Sequence, residues 1–262
     1  MLVFSAIVPH PPILIPAIGK ENLEQIKNTV KAMEQLEQEL YAAKPDIIMI
    51  VSPHGQVLED AFTINLSPTY RINLEEFGDF GTKNQFKSSI AMINQIREEV
   101  ENNEPVVLTS DENLDHGAGV PLAYLAKHLP NISIVPIGYS YLDLEAHLDF
   151  GARLKNEIAN TNKRVAVIAS GDLSHRLTKE APAGYSAKGK VFDQKLIELL
   201  KKKDTKGIIG LDKKLVEEAG ECGLRSIAIL LGIIQNINYD FEQLSYEGPF
   251  GVGYLVGNFK LK

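Results

Sequence analysis

The sequence predicts a three-layer α/β/α domain, with helices on both faces of a central, mostly parallel (mixed) sheet. Two observations carry that expectation. Short apolar runs rich in Val and Ile recur along the chain, with the length and composition of strands buried on both faces. Between them lie longer segments in which apolar residues return every three or four positions, the period of an amphipathic helix. Composition agrees: of 262 residues, 44% are apolar and 23% charged, ordinary for a globular protein able to bury a sizeable core.

The elements follow in order. Residues 2–8 (LVFSAIV) read as the first strand. A helix is expected over 21–43, where Leu23, Ile26, Val30, Met33, Leu36 and Leu40 share one face. Residues 46–52 (DIIMIVS) form the second buried run. The stretch 55–84 keeps neither period and reads as an excursion carrying a short strand. A helix over 86–100 precedes a strand at 105–109 (PVVLT). Pro121 suits the first turn of the helix that follows. Strands at 132–137 (ISIVPI) and 164–169 (RVAVIA) flank a helix over 144–158. Helices over 186–202 and 224–236 lead to a last strand at 252–259 (VGYLVGNF). Strands alternating with helices argue for a parallel sheet covered on both sides. Pro and Gly are spread out, with no repeat or low-complexity tract, so 1–262 reads as a single domain.

Charge and cysteine content narrow the function. A net charge of -7 argues against non-specific binding to nucleic acid or to a membrane surface. The short KKKD at 201–204 reads as a solvated helix end. Cys222 is the one cysteine, so no intramolecular disulfide can form, which fits a reducing compartment. The start "MLVFSAIVPHPP" has no basic leader region, and prolines interrupt its apolar run. A cytoplasmic protein is the expectation.

The histidines point to a site. There are six, and three leave apolar runs in a similar way: His10 after "LVFSAIVP", His54 after "DIIMIVSP" and His175 after "RVAVIASGDLS". In parallel α/β sheets reactive groups gather beyond the carboxyl ends of the strands. One loop histidine is ordinary; three in the same setting are not. His116, in "NLDHGAGVPLAYL", follows another strand after a short loop, beside Gly117 and Gly119. His128 and His147 fall in helical stretches and read as helix-surface or boundary residues. Asp115 and Asp172 are also good turn or N-cap residues.

Two imidazoles at strand ends suit Zn, Fe, Cu or Ni, and a carboxylate would complete a non-haem iron triad. Glu221 and Cys222, in "EEAGECGLRSIAILLG", stand immediately before an apolar helix, where its dipole favours an anion. An N-cap acid beside a small buried cysteine is the plainer alternative. Glu247, in a turn before the last strand, is a weaker candidate. A serine nucleophile finds little support: Ser174 and His175 are adjacent in sequence, and G-x-S-x-G is absent. A zinc hydrolase would need the same histidines, but the sequence lacks H-E-x-x-H.

In their order, "VPHPPIL", "VSPHG", "LDHGAGVPL" and "SGDLSH" resemble the LigB family, the catalytic subunits of class III extradiol ring-cleavage dioxygenases. The resemblance runs from His10 to the terminal "GVGYLVG". "AGECGLRSIAILLG" is most similar to the LigB-like component of the AmmeMemoRadiSam system, and more distantly to the Memo proteins, which share the fold. The resemblance implies His10 and His54 as metal ligands, His175 as the acid–base residue and His116 as a second active-site histidine. Asp172, Ser174 and Asp115 would orient these groups or contact substrate. The third ligand is Glu before Gly in the dioxygenases and Cys in Memo; here Cys222 precedes Gly223 and Glu221 stands one position earlier, so both stay open. Fe(II) is the implied metal, with Zn and Cu as alternatives. The implied partners are a small catecholic substrate and O2 and, for the second branch, a radical-SAM system component. Family members often form homo-oligomers, but no interface is legible in this chain.

Overall fold

The apolar runs become the interior of one sheet. The computed structural model describes residues 1–101 and 104–262. The strands are β1 (Leu2–Val8), β2 (Ile47–Ser52), β3 (Phe62–Asn65), β4 (Thr69–Ile72), β5 (Gln85–Ser88), β6 (Val106–Thr109), β7 (Asn113–Leu114), β8 (Ser133–Gly138), β9 (Val165–Ser170), β10 (Tyr239–Glu247) and β11 (Tyr254–Leu261). The helices are α1 (Pro16–Gly19), α2 (Lys27–Ala43), α3 (Ile90–Val100), α4 (His116–Leu125), α5 (Leu144–Asn160), α6 (Ala187–Lys202), α7 (Thr205–Ile209), α8 (Lys213–Ala219) and α9 (Leu224–Ile233).

Among the described residues the sheet runs β10-β11-β1-β9-β2-β8-β5-β4-β7, with β3 and β6 branching from β8. Its centre, β1-β9-β2-β8, is parallel, and β11 and β10 close one side antiparallel. Alternation along each strand divides the core in two. Met49, Val51, Val167 and Ala169 face the layer of α3, α5, α6 and α9, while Ile48, Ile50, Ala166 and Ile168 face α2 and α4. Among the described residues no helix is long and apolar enough to cross a membrane.

Several expectations shift. Residues 55–84 hold two strands, β3 and β4, rather than one. The start of 86–100 belongs to strand β5, in which only Phe86 is buried. The run 105–109 becomes β6, bonded among the described residues to β3 alone, with Val107 40% exposed. The helix 21–43 begins as a 3-10 segment over Lys20–Ile26. Pro121 lies inside α4, because Asp115 caps the helix and starts it at His116. His147 is fully buried, its Nδ1 2.6 Å from Asp143 O and its Nε2 3.1 Å from Ser140 O. His128 follows α4 in a turn and pairs with Glu37 at the surface.

Candidate metal centre

The strands β1, β9 and β2 are adjacent and parallel, so their carboxyl ends share one rim. His10 stands two residues beyond β1, His54 two beyond β2 and Asp172 two beyond β9. The two imidazoles meet there, Nε2 to Nε2, at 3.0 Å. Cys222 arrives from the loop before α9, its Sγ 3.7 Å from His10 Nε2. The ligand atoms of His10, His54 and Cys222 all lie within 4.8 Å of one another.

A close backbone crossing puts Cys222 there. A Cβ on Gly171 would fall 2.1 Å from Gly223 Cα, so the end of β9 can touch the start of α9 only with glycine at 171, and Gly223 leaves a tight fit on the other side. The contact is fastened by two hydrogen bonds: Cys222 N–H donates to Asp172 O (3.2 Å), and Asp172 N–H donates to Cys222 Sγ (3.3 Å).

His10 is fixed through a relay that begins in α4. Pro121 has no N–H to give the Gly117 carbonyl four residues back. That carbonyl accepts from the Ser170 hydroxyl, and Ser170 Oγ lies 2.9 Å from His10 Nδ1. With its hydrogen spent on Gly117, the serine oxygen accepts from His10 Nδ1–H, which leaves Nε2 with its lone pair toward the cluster. Asp172 Oδ1 accepts from His10 N–H (3.0 Å). On the other side, Ser52 Oγ donates to Asp115 Oδ1 and accepts from His54 N–H (3.3 Å).

Electrostatics favour a neutral donor set awaiting a cation. Burial, reinforced by His116 and His175, holds His10 well below the usual histidine range. Burial and then the neighbouring histidines take His54 down to about 3. Burial, followed by the Asp172 and Glu221 carboxyls, pushes the Cys222 thiol up. Imidazole nitrogens are therefore ready to ligate, and the thiol would release its proton to a bound cation. Two nitrogens and a sulfur suit iron, Zn or Cu(I).

The other sequence candidates separate. His116, at the start of α4, stacks on His54 with ring centroids 4.2 Å apart. It also meets His10 edge-on at 5.5 Å and Phe77 at 5.2 Å. His175 lines the same cavity; its Nδ1 is buried without a partner, and Nε2 is its open nitrogen. Neither Asp172 nor Ser174 hydrogen-bonds to His175, contrary to expectation. Ser174 Oγ donates to Ala219 O (2.8 Å), and its N–H donates to the buried Asp193 (2.9 Å), because the loop turns it into the α6–α8 side. Asp172 serves His10 instead, and Asp115 holds Ser52 and caps α4. Glu221 accepts from Leu224 N–H at 2.6 Å, which occupies its carboxyl at the start of α9. Burial raises it to about 7, and it is not among the three clustered donors. Glu247 likewise caps α2 through Thr29 and Asn28.

A cavity of about 480 Å³ opens over the cluster. Its walls are His10, His54, His116, His175 and Asp172 with Pro11, Pro12, Ile13, Asn22, Pro182, Phe250, Val252 and Tyr254. Sequence reasoning missed Ser52, Ser170 and Tyr254. The first two end β2 and β9 and could have been suspected from a polar residue closing an apolar run. Tyr254 had no local signal beyond the glycine-rich turn before it.

Fold and site together define an α/β protein with a candidate metal centre at the carboxyl rim of its sheet. Residues 5–257 match the family described as the catalytic LigB subunit of aromatic ring-opening dioxygenase, and the chain belongs to the LigB family. It is 35% identical over 261 residues to Protein CA_C1420 of Clostridium acetobutylicum, covering 95% of this chain. The chain spans only 56% of that relative's length. Among solved structures, uncharacterized protein JW3007 from Escherichia coli K12 superposes with a TM-score of 0.70 at 14% identity, covering 98% of this chain and 99% of that one. That likeness is one of fold.

Proposed function

We propose that this chain is a metal-dependent extradiol-dioxygenase-like enzyme that opens a catecholic ring with O2, using non-haem Fe(II) held by His10, His54 and Cys222. The reading covers 1–262 as one domain, because one donor cluster draws on residues 10 to 222 and the cavity beside it has walls from His10 to Tyr254. The observation that carries it is the clustering of three ligand atoms, from His10, His54 and Cys222, where His10 and His54 line a mainly apolar cavity that also presents His116 and His175. When bound, the metal supplies Lewis acidity toward the ring oxygens and a route for electrons between ring and oxygen.

The chain's own residues do the remaining work. The volume accommodates a single substituted ring. Pro11, Pro12, Pro182, Phe250 and Val252 cover its faces and exclude water. His175 takes the proton of a ring hydroxyl at Nε2 and returns it later, a role suited to an imidazole, which can both accept and donate a proton. His116, held against His54 and Phe77, lines the substrate side.

One observation favours a second reading. The third clustered donor is a thiol, Cys222, rather than a carboxylate, and thiolates prefer Cu(I) and Zn. A Memo-like metal or redox protein without ring cleavage, working beside a radical-SAM partner, would use the same three residues.

The test is anaerobic Fe(II) loading followed by a catechol panel with O2. Ring-opened product, lost in His175→Gln while its iron content stays at the wild-type level, supports the enzyme. Cys222→Ser should lose metal and Glu221→Gln should keep it. Tight Cu(I) or Zn binding with no product from any catechol would favour the second reading.

A further inference from the structure

Tyr254 opens β11 and is 3% exposed. In the β1–β11 ladder Ala6 faces Asn258 and Ile7 faces Gly257. Continuing that register sets Tyr254 across from His10. Its ring belongs to the core on the α2 side, with Val8, Val252 and Val256.

The hydroxyl behaves differently from the ring. Tyr70, Tyr124 and Tyr246 each donate to a protein oxygen, on Asn65, Leu14 and Asp193 respectively. Among the described residues the buried Tyr139, Tyr239 and Tyr254 show no such bond, and of these three only Tyr254 lines the metal-side cavity. The Tyr254 hydroxyl has no hydrogen-bond partner among the described residues, yet it is not sealed off, and the residue lines the metal-side cavity. Its neighbours on that wall, Phe250, Val252 and Pro182, offer no polar atom from their side chains. A polar group spared from the fold and left at an apolar wall is the pattern of a ligand-orienting contact. Burial and the nearby Asp172 carboxyl push the phenol above its usual range, so it keeps its proton and acts as a donor.

We propose that Tyr254 is a substrate-binding residue whose hydroxyl donates a hydrogen bond to an oxygen of the catecholic ring held in this cavity. The inference rests on the ring-opening reading. A donor at that oxygen favours its ionised form, so Tyr254 would assist the proton transfer to His175 without itself exchanging a proton.

The experiment is anaerobic titration of metal-loaded wild type and Tyr254→Phe with 4-nitrocatechol, whose visible spectrum reports both binding and ionisation. Y254F should retain full metal content and an unchanged Tm, because the hydroxyl holds nothing in the fold. Its Kd should rise about 5- to 10-fold, the worth of one hydrogen bond. The pH at which the bound chromophore ionises should move up. Wild-type Kd and ionisation in Y254F would overturn the proposal, and so would a clear drop in Tm, which would show that the hydroxyl serves the fold. If the metal-loaded wild type itself fails to bind 4-nitrocatechol, the catecholic reading falls and this inference falls with it.

Discussion

Gly171→Ala tests how the fold delivers the third donor. The added Cβ would sit 2.1 Å from Gly223 Cα and 3.1 Å from Gly223 N, both backbone atoms that cannot rotate away. Carbon atoms in ordinary contact stand about 3.5–4.0 Å apart, so β9 and the start of α9 must separate by more than about 1 Å. That displacement exceeds the tolerance of the paired hydrogen bonds between Asp172 and Cys222, which now measure 3.2 and 3.3 Å. Cys222 Sγ then leaves its 3.7 Å contact with His10 Nε2. Overpacking of this kind costs about 1–3 kcal/mol, and each kcal/mol lowers Tm by about 2–4 °C in a chain of this size. Metal affinity should fall by about 10- to 100-fold, as when the support of a ligand is lost. The assay is metal stoichiometry and Kd alongside thermal unfolding with and without metal. A G171A protein with wild-type Tm and wild-type metal affinity would refute the argument that this crossing places Cys222.

Three further outcomes follow from the same geometry. Ser170→Ala removes the acceptor of His10 Nδ1–H and should weaken metal binding by about 10-fold; unchanged affinity by competition with a chelator would sink the relay. Among the described residues lining the metal-side cavity there is no Lys or Arg, and Asp172 is there. Catechol should therefore bind at least about tenfold more tightly than its ring-carboxylated analogue, and a preference for the carboxylate would contradict this. His147 is buried and pushed down to about 4 from its usual 6.5, mainly by burial. The unfolded chain takes up a proton in that window that the folded chain refuses, so this group's stability is complete above about pH 6.5. It is lost toward pH 4, by about 3 kcal/mol. Denaturant unfolding at pH 7 and 4.5 should show a smaller acid loss in His147→Gln than in wild type; equal losses would remove His147 from the explanation.

The interior of the fold was legible because its strands are apolar on both faces. The runs at 2–8, 46–52, 132–137 and 164–169 became β1, β2, β8 and β9, within a residue at each end. Among the peripheral strands, 105–109 was legible and became β6, but β5 and β10 were not. In β5 only Phe86 points inward, and β10, "YDFEQLSYE", alternates weakly because it is half-buried at an edge. Short strands of this kind are specified by their neighbours rather than by their own composition. Pro121 misled the reading of α4 for a related reason. A proline inside a helix is ordinarily costly, but here the carbonyl it leaves free is taken by Ser170.

By itself the sequence determined that strands and helices alternate and that His10, His54 and His175 leave apolar runs in the same manner. That pattern is local, and local chemistry encodes it. Only the tertiary structure decided which strands are neighbours. Placing β9 between β1 and β2 brings His10 and His54 within 3.0 Å, although 44 residues separate them. Which of Glu221 and Cys222 lies beside His10 and His54 was likewise beyond a linear reading, since adjacent residues carry equally good donors. It depends on a helix start that engages the Glu221 carboxyl at Leu224 N–H, and on two glycines that let Cys222 lie against Asp172. Such contacts depend on the approach of segments far apart in sequence, which no spacing of residues along the chain records.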